Sequence, residues 1–578
     1  MKRFILLLLL AEVFFSITAS AQYSRYIIRL KNKNGTPFSI SNPSAFLSAK
    51  AVARRTRYNI AIDSTDLPVQ PSYLDSIKKV PNVNVLNVSK WLNQVCIQTT
   101  DSSALATIRS FSFVLNANAI AVRMIQRSPA KSNKFEEYRQ LPLPSPAKIN
   151  GIAGTFGFTG IQGMQNFYNY GNNAGQVHIH EGEYLHNLGF HGEGITIAIL
   201  DAGFYNYLAN PAFDSILLQN QVLGTWDYVA NEQSVNEDHY HGAMCLSTIA
   251  ANEPGQMVGT APKAKFWLLR TEDANSEYPV EEENWVAGAE FADSAGADLI
   301  SSSLGYSDFD DASFNLSYAQ RDGKTSIISI GANLAVKKGI LVTNSAGNSG
   351  AATTDSKFVI CPADADSVFT IGAVDVNGNV AYFSSYGPNG AGNLKPNVTS
   401  VGWNAVVANV ITGVPGYASG TSFSNPNMCG LVACLWQAFP EFSNRQIMDA
   451  VQRSSSQYTN PDYRVGYGIP NMRLAYLNLQ QQRTTKNYQL ILGTNWIKAF
   501  PVPFNDNFSV LLKAPLSGHS RIRLIDMGGK TIAIKDTEIQ EGVLYTINFD
   551  NIQVISKGVY TVQYSDGKNK ASLRVIKQ

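Results

Sequence analysis

The sequence has few charged residues, few cysteines and no long apolar run beyond its first residues. Asp, Glu, Lys and Arg make up 16% of the 578 residues, below the roughly one quarter typical of soluble domains. The formal net charge is +2, and no Lys/Arg cluster of the kind that binds phosphate is present, so no nucleic-acid partner is expected. No later segment reaches the ~20 apolar residues that a spanning helix needs, so we predict no transmembrane segment.

The cysteines do not form a disulfide pattern. The chain has five of them, an odd number, and none falls in a Cys-x-x-Cys pair. They are Cys96, Cys245, Cys361, Cys429 and Cys434. Because Cys often behaves as a small apolar core residue, we predict buried free thiols. A thiolate metal site is not supported.

The first 21 residues have the pattern of a secretory signal peptide. Lys2 and Arg3 precede an apolar run that ends in Ala19-Ser20-Ala21. Cations, a short apolar core and a small-x-small cleavage signal are typical of export rather than of a membrane span. We therefore expect residues 1–21 to be removed and the protein to be secreted or displayed at the cell surface.

The next two regions differ in composition. Residues 22–125 mix short strands, such as YIIRL, with helices, such as FLSAKAVARRTRY. Residues 126–175 include SPAKSNKFEEYRQLPLPSPAKINGIAG, which is rich in Pro, Ser and Lys and therefore reads as a linker. A compact small domain followed by an exposed linker suggests a pro-segment, although its removal does not follow from the residues.

The rest of the chain divides into two further regions. In residues 176–482, apolar strands such as ITIAIL alternate with helices, which predicts a doubly wound, mostly parallel α/β sheet. Active sites in such sheets form at the carboxyl ends of the strands. Residues 483–578 alternate around Gly528-Gly529 and Asp566-Gly567, which predicts hairpins in a small all-β sandwich domain.

Four polar residues lie where such a site would form. Asp201 ends a strand, His241 precedes a Gly and a buried helix, Asn348 follows another strand, and Ser422 opens a helix within SGTSFSNPNMCG. Each residue alone has a simpler explanation as a turn, cap or core residue. A Ser at a helix N-terminus is also where a nucleophile would be helped by the helix dipole.

Taken in chain order, these residues and the motif Gly-Thr-Ser-x-Ser-x-Pro resemble the subtilisin-like serine proteases over about residues 176–482. The resemblance implies that Ser422 is the nucleophile and His241 its general base. It implies that Asp201 orients the imidazole, and that Asn348 and the Ser422 backbone N–H bind the oxyanion.

Further segments support the resemblance. Ser303, Leu304 and Gly305 are similar to the family segment that binds the substrate backbone, and the resemblance adds Ala346 and Gly347 to the substrate-binding set. Other matching segments are Gly259–Pro262, Phe383–Gly387 and Lys395–Val398. Ala243-Met244 stands where the family usually has Thr-His, and Asn397 where it usually has Asp. Neither departure removes a catalytic group.

The flanking regions also resemble known modules. Residues 22–125 resemble the family's inhibitory pro-segment in their position in the chain and in their mixture of short strands and helices. The last region resembles the C-terminal sorting domain of the type IX secretion system, on Phe500–Asn505, Gly558–Val562 and Ala571–Lys577. The expected partners are therefore polypeptide substrates, the chain's own pro-segment and the type IX secretion machinery, with passage through an outer membrane.

No cofactor and no catalytic metal are expected. A structural Ca²⁺ is left open, because relatives often hold one and the loop Asp308–Asp311 is acidic, although it lacks the dense oxygen ligands of an EF-hand. Glu281-Glu282-Glu283 opens a helix, where carboxylates favour the positive dipole end, so we expect a solvated helix start.

Two alternatives are weighed against a secreted serine endopeptidase. The first is a surface binding protein that retains an inactive protease fold, which such an intact residue set disfavours. The second is an esterase of the α/β-hydrolase fold, which would need a Gly-x-Ser-x-Gly elbow and the order Ser, Asp, His. Ile360 aligns near the base of the substrate pocket and hints at a preference for modest-sized apolar residues.

Overall fold

A computed structural model describes residues 23–122, 166–550 and 552–578. The predicted signal peptide and most of the predicted linker lie outside these residues. The chain divides into two compact units, residues 1–476 and 477–578. The domain boundaries expected from the sequence remain predictions.

The first unit begins with a small α/β domain, which we call the pro-domain. Its elements are β1 (Tyr23–Leu30), a 3₁₀ turn (Pro43–Ala45), α1 (Ala49–Arg57), α2 (Pro71–Lys78), β2 (Asn84–Ser89), β3 (Gln94–Gln98), α3 (Ser102–Ser110) and β4 (Val114–Val122). The strands form an antiparallel sheet in the order β2-β3-β1-β4. Alternation along β1 gives the sheet two apolar faces. Ile28 and Leu30 pack against α2 and α3, whereas Ile27 on the other face packs against Tyr278 and Val280.

The larger part of the first unit is built on a seven-stranded sheet in the order β13-β12-β11-β10-β5-β9-β6. Its strands and the two short hairpins beside it are β5 (Thr196–Asp201), β6 (Val222–Asp227), β7 (Asn252–Glu253), β8 (Met257–Val258), β9 (Lys265–Arg270), β10 (Leu299–Ser302), β11 (Leu341–Ser345), β12 (Phe369–Val374), β13 (Val398–Val401), β14 (Ala405–Ala408) and β15 (Pro415–Ala418). All neighbouring pairs in the seven-stranded sheet are parallel, as predicted.

Helices cover both faces of this sheet. The α-helices are α4 (Ala174–His178), α5 (Glu183–Asn187), α6 (Asp214–Leu218), α7 (His241–Ala250), α8 (Pro279–Ala295), α9 (Ile327–Lys337), α10 (Thr421–Ala438), α11 (Asn444–Arg453) and α12 (Met472–Leu492), with 3₁₀ turns at Pro211–Phe213, Ala312–Phe314, Tyr318–Gln320 and Asp355–Lys357. Helices α8 and α9 share one apolar core with the sheet, and α7 and α10 pack on the other face. Strand β5 is buried along its whole length, which explains its continuous apolar sequence.

The second unit contains two antiparallel sheets around one apolar core. One sheet holds β16 (Ile497–Phe500), β17 (Phe508–Lys513) and β20 (Leu544–Phe549). The other, in the order β19-β18-β21-β22, holds β18 (Gly518–Ile525), β19 (Thr531–Ile539), β21 (Gly558–Ser565) and β22 (Lys570–Lys577). The predicted hairpins are confirmed: Gly529 and Gly567 adopt positive φ of 84° and 88° between their strands.

A buried network of charges joins the pro-domain to α8 and α9. Arg54 and Arg55 on α1 reach the carboxylate of Asp293 at 2.5 and 2.9 Å. Asp66 binds Arg55 at 3.0 Å and Lys338 at 2.7 Å. All five side chains are at most 3% exposed. Removing one member would leave a buried charge uncompensated, so the network fixes the position of α1 against the sheet helices.

The start of α8 is buried rather than solvated, so the expectation for Glu281-Glu282-Glu283 was wrong. The three residues are 1%, 5% and 1% exposed. The pro-domain sheet lies over this helix, and Gln94 donates to Glu283 at 2.5 Å. A helix does begin at these residues, but the local charge pattern does not specify what packs on it.

All five cysteines are buried free thiols, as predicted. Burial raises the pKa of Cys245 to about 11 and that of Cys429 to about 12. Both groups are therefore neutral thiols at pH 7.

We predict that acid destabilises the first unit through His180. This fully buried side chain bonds the Pro470 carbonyl through Nδ1 and the Ser400 hydroxyl through Nε2, each at 2.9 Å. Burial lowers its pKa from 6.5 to about 4. The unfolded chain therefore binds this proton first, so the contribution of His180 is complete above pH 6.5 and is lost as the pH falls towards 4.

The check is thermal unfolding of wild type, His180→Gln and the exposed control His519→Gln between about pH 7 and about pH 4. His180→Gln should lose part of the pH dependence, and His519→Gln should keep it. An identical pH dependence in wild type and His180→Gln would contradict this account.

Candidate functional site

The four predicted polar residues lie together at the carboxyl edge of the seven-stranded sheet. Asp201 is the last residue of β5, and Asn348 lies in the loop that follows β11. His241 is the first residue of α7, and Ser422 is the second residue of α10. The parallel topology explains this convergence, because the carboxyl ends of parallel strands meet at one edge.

Asp201 and His241 form a hydrogen-bonded pair that is closed to solvent. His241 Nδ1 lies 2.7 Å from Asp201 Oδ1, and both side chains are 0% exposed. The Ala202 N–H also donates to Asp201 Oδ1, at 2.8 Å. A carboxylate held in this way fixes the imidazole with its proton on Nδ1, which leaves Nε2 as the basic nitrogen.

The carboxylate also sets the basicity of the imidazole. Burial opposes protonation of His241, but the charge of Asp201, the neighbouring Cys245 and their hydrogen bonds together outweigh it and raise the pKa of His241 well above its ordinary value. The protonated imidazole is therefore stabilised by a charge held 2.7 Å away.

Gly242 allows α7 to approach the turn after β5. A Cβ on this residue would lie 2.9 Å from Asp201 Cβ and closer still to the carbonyl oxygen of Gly203. Any larger residue would push the helix away from the strand end. The predicted His-Gly pair thus has a steric reason: the glycine lets His241 reach Asp201.

One helical hydrogen bond is missing from the first turn of α10, and side chains from other segments replace it. Pro426 lies inside the helix and lacks an N–H, so it cannot donate to the carbonyl four residues earlier. That carbonyl belongs to Ser422. It accepts hydrogen bonds from Ser303 Oγ at 2.8 Å and from Cys245 Sγ at 3.3 Å. The backbone of Ser422 is therefore hydrogen-bonded to the segment after β10 and to α7 as well as lying in its own helix.

Asn348 is oriented by Thr421, the residue before Ser422. Its Oδ1 accepts from the Thr421 N–H at 2.9 Å and from Thr421 Oγ1 at 2.8 Å. The Gly347 N–H donates to the same hydroxyl at 3.2 Å. With the oxygen held on Thr421, the nitrogen of the amide is the donor that Asn348 presents elsewhere.

The predicted substrate-binding segments flank the start of α10. Ser303, Leu304 and Gly305 directly follow β10, and Ala346 and Gly347 directly follow its neighbour β11. The first segment is tied to Ser422 through Ser303, and the second to Thr421 through Gly347. The carbonyl of Leu304 faces inward and accepts from Asn344 at 3.0 Å.

Three supporting residues were missed in the sequence. Thr421 orients Asn348, and Arg270 at the end of β9 donates to the carbonyl of Ala202 at 3.2 Å, which steadies the turn that carries Asp201. Cys245 Sγ lies 3.9 Å from His241 Nδ1. Its four-residue spacing from His241 on one helix would have revealed it. His239, two residues before His241, accepts from the His241 N–H at 3.3 Å and stacks on Tyr240 with ring centroids 4.2 Å apart.

Carboxylates also gather away from the four residues. The ligand atoms of Glu272, Glu277 and Glu281 lie within 4.8 Å of one another. In the loop Asp308–Asp311, where a calcium ion was left open, Asp311 instead caps a 3₁₀ turn through the Ser313 N–H at 3.0 Å. Calcium binding remains a prediction.

Comparison with known families agrees with this architecture. Residues 192–468 match the model of the subtilase family, Peptidase S8. Residues 25–137 match the Peptidase S8 propeptide domain of Bacteroidota. Residues 498–578 match a secretion system C-terminal sorting domain.

The individual relatives share only a modest sequence identity with the chain. The chain is 27% identical over 280 residues to a thermostable alkaline protease of Halalkalibacterium halodurans, a match that covers 48% of this chain and 66%, just under two thirds, of that protein. It is 28% identical over 295 residues to subtilisin Savinase of Lederbergia lenta, which covers 50% of this chain and 93% of that protein. The crystal structure of MycP1 from Mycobacterium smegmatis matches at 20% identity and a TM-score of 0.41, over 54% of this chain and 86% of that chain.

Residues 192–468 are therefore a subtilase-family domain, a subtilisin-like serine protease domain that lies between a propeptide domain and a sorting domain. The sorting domain implies secretion or surface localisation. Within the described part of the chain, every helix is too short or too polar to span a membrane.

We predict that Ser303→Ala destabilises the start of α10. The carbonyl of Ser422 would lose its hydroxyl donor, while the weaker thiol of Cys245 would remain. The expected loss in unfolding free energy is about 1–3 kcal/mol, measured by chemical denaturation. Ser307→Ala is the matched control, since its exposed hydroxyl bonds only Asp308 among the contacts seen here. Equal stability of the two variants would show that Ser303 does not support Ser422.

Proposed function

We propose that the protein is a secreted serine endopeptidase that hydrolyses peptide bonds through an acyl-enzyme on Ser422. The observation that carries this proposal is the solvent-excluded Asp201–His241 pair, with its 2.7 Å bond, at the sheet edge where α10 begins. A serine hydroxyl is a weak nucleophile at neutral pH, and a neighbouring imidazole of this kind activates it.

The proposed steps start from the hydrogen bond between Asp201 and His241. His241 Nε2 takes the proton of Ser422 Oγ as the oxygen attacks the carbonyl carbon of the substrate. Asp201 stabilises the imidazolium through Nδ1 without taking its proton. The imidazolium then gives its proton to the leaving amine as the peptide bond breaks. A water molecule gives a proton to His241 as it attacks the acyl carbon, and the imidazolium returns that proton to Ser422 Oγ as the ester bond breaks.

Asn348 is the proposed oxyanion donor, together with the Ser422 backbone N–H. Its Oδ1 is held by Thr421, which fixes the orientation of its Nδ2. A donor that is already oriented costs no reorganisation when the carbonyl oxygen becomes negative. The amide therefore stabilises the transition state more than the substrate, which is the requirement for faster turnover.

The pro-domain is proposed to act as the chain's own inhibitor until it is released. Its turn between β2 and β3 is held by Glu290 on α8, which accepts from Ser89 Oγ at 2.5 Å and from the N–H groups of Lys90 and Trp91 at 2.7 and 3.0 Å. Together with the charged network around Asp293, these contacts add polar bonds to the apolar cluster in which Ile27 packs against Tyr278 and Val280. Water can replace the polar contacts when the pro-domain leaves.

We predict that Ser422→Ala abolishes labelling by a fluorophosphonate, read as one added mass on intact wild-type protein. Asn348→Ala should keep the nucleophile but lower kcat by about 10²–10³, the loss found for the corresponding change in subtilisin itself. Asn460→Ala, at an exposed position, is the control.

Absence of labelling on folded wild type freed of its pro-domain would favour the inactive binding protein. Equal labelling of wild type and Ser422→Ala would place the nucleophile elsewhere.

We also predict that rising pH releases the pro-domain. Burial under it raises the pKa of Glu283 to about 8 and that of Glu290 to about 7, from ordinary values of 4.5. The docked state therefore binds protons that the separated state has lost. The contribution of these two groups to affinity is greatest at pH 4.5 and below, falls as the pH rises, and levels off above about pH 8.

The check is co-elution of the processed pro-domain with the protease domain in gel filtration at about pH 5 and about pH 9. Glu283→Gln should retain the pro-domain better at the higher pH, because a neutral amide oxygen still accepts from Gln94. Glu232→Gln, which is exposed, should behave as wild type. Retention that is independent of pH would contradict the prediction.

A further inference from the structure

Helix α1 of the pro-domain lies on a surface of the protease domain at the amino edge of the seven-stranded sheet. This surface joins the C-terminal ends of α8 and α9 to the residues at which β5 and β10 begin. Carbonyls at a helix C-terminus carry partial negative charge and attract cations. We call it the amino-edge surface, and its groups come from Gly194, Thr196, Asp293, Ala297, Asp298 and Lys338.

All three nitrogens of the Arg54 guanidinium donate to the amino-edge surface. Nε donates to the Lys338 carbonyl at 3.2 Å, and one terminal nitrogen donates to the Ala297 carbonyl. The other terminal nitrogen donates to the carbonyl and to the carboxylate of Asp293, at 3.1 and 2.5 Å. The acceptors thus match the planar fork of a guanidinium, which the compact ammonium of a lysine does not reproduce.

Two further cations on α1 extend the match. Arg55 brings one terminal nitrogen to 2.9 Å from both carboxylate oxygens of Asp293, and its other terminal nitrogen donates to the same α9 carbonyl as Arg54. Lys50 lies one helical turn before Arg54 and reaches the carboxylate of Asp298 at 2.6 Å. The amino-edge surface therefore binds a helix with the pattern Lys-x-x-x-Arg-Arg.

The cations paired with Asp293 belong to the pro-domain. Among the described residues, its ion-pair partners are Arg54, Arg55 and Lys90, at 2.5, 2.9 and 3.9 Å. The acceptors, in contrast, belong to the protease domain and include backbone carbonyls that α8 and α9 hold in place. Release of the pro-domain therefore exposes acceptors that are already arranged for guanidinium groups, which lowers the cost of binding another pair.

We propose that the amino-edge surface, once free of the pro-domain, is an exosite that binds a pair of adjacent arginines in the polypeptide substrate. The inference rests on the proposed endopeptidase function, including release of the pro-domain, and adds a feature of its substrates. A chain that is already held at Ser422 makes a second contact without a second loss of translational freedom, so the substrate is the occupant that this surface favours.

The exosite lies at the opposite edge of the sheet from Ser422. The six residues of β5, from Thr196 to Asp201, put the two edges about 17 Å apart. A chain that occupies both sites must run around the domain, so the arginine pair lies about fifteen residues or more from the cleaved bond. Contacts so far from the reacting carbonyl are equal in substrate and transition state, so they lower KM without raising kcat.

The first test measures the fluorescence anisotropy of a labelled helical peptide that carries Lys-x-x-x-Arg-Arg. The protein is freed of its pro-domain and treated with fluorophosphonate, so that the peptide is not cleaved. Replacing both arginines of the peptide by lysines should weaken binding about tenfold or more, because the forked hydrogen bonds are lost. Asp293→Asn should weaken binding of the arginine peptide by a similar factor. Glu232→Gln, an equal loss of charge at an exposed position, should bind as wild type.

The second test compares two fluorogenic substrates with the same cleavage site and either Arg-Arg or Lys-Lys at the distance given above. On the wild type, KM should be about tenfold lower for the arginine substrate, with equal kcat. Asp293→Asn should abolish this difference. Should this variant not fold, the two peptides and the two substrates on wild-type protein still decide.

Labelling by the fluorophosphonate separates the two proposals. A labelled protein that binds both peptides equally, or cleaves both substrates with equal KM, would overturn the exosite and leave the endopeptidase proposal intact. So would a folded and labelled Asp293→Asn variant that still prefers arginine. A folded protein that binds the arginine peptide but neither labels nor cleaves would overturn the endopeptidase proposal, and with it the assignment of the exosite to substrates.

Discussion

The hydrogen bond between Asp201 and His241 needs a site without water, and much of the first unit supplies one. Both side chains are completely buried, between a strand that is itself buried along its length and a helix whose glycine lets it approach. In such surroundings the attraction between carboxylate and imidazolium is far stronger than in water. Arg270 steadies the turn after Asp201 from the neighbouring strand, so the bond depends on the sheet as much as on its two partners.

The start of α10 is organised by contacts that come from outside the helix. A proline in this helix leaves the Ser422 carbonyl without its usual N–H donor, and Ser303 supplies a hydroxyl in its place. Thr421 at the same turn orients Asn348. The proposed nucleophile, its carbonyl and the proposed oxyanion donor are thus joined to β10 and to the loop after β11. A change in either connection would therefore shift the proposed nucleophile and the proposed oxyanion donor.

The interface between the pro-domain and the sheet helices shows a different use of buried polarity. Asp293 and Glu290 on α8 bind polar groups of the pro-domain that are shielded from solvent in the docked state. Such pairs give a precise register but a modest net free energy, because desolvation cancels much of the attraction. This balance suits an inhibitor that must later dissociate. An apolar interface of similar size would hold it more firmly.

The sequence by itself determined the order of the elements, the parallel sheet, the buried thiols and the residues that gather at the sheet edge. These features follow from local pattern: apolar strands, His-Gly before a helix, and a serine at a helix start. The tertiary structure alone decided that the glutamates opening α8 are buried, that Thr421 orients Asn348 and that the Ile360 side chain packs against Gly305. Each of these depends on a neighbour far away in the chain, and a local pattern does not specify such a neighbour.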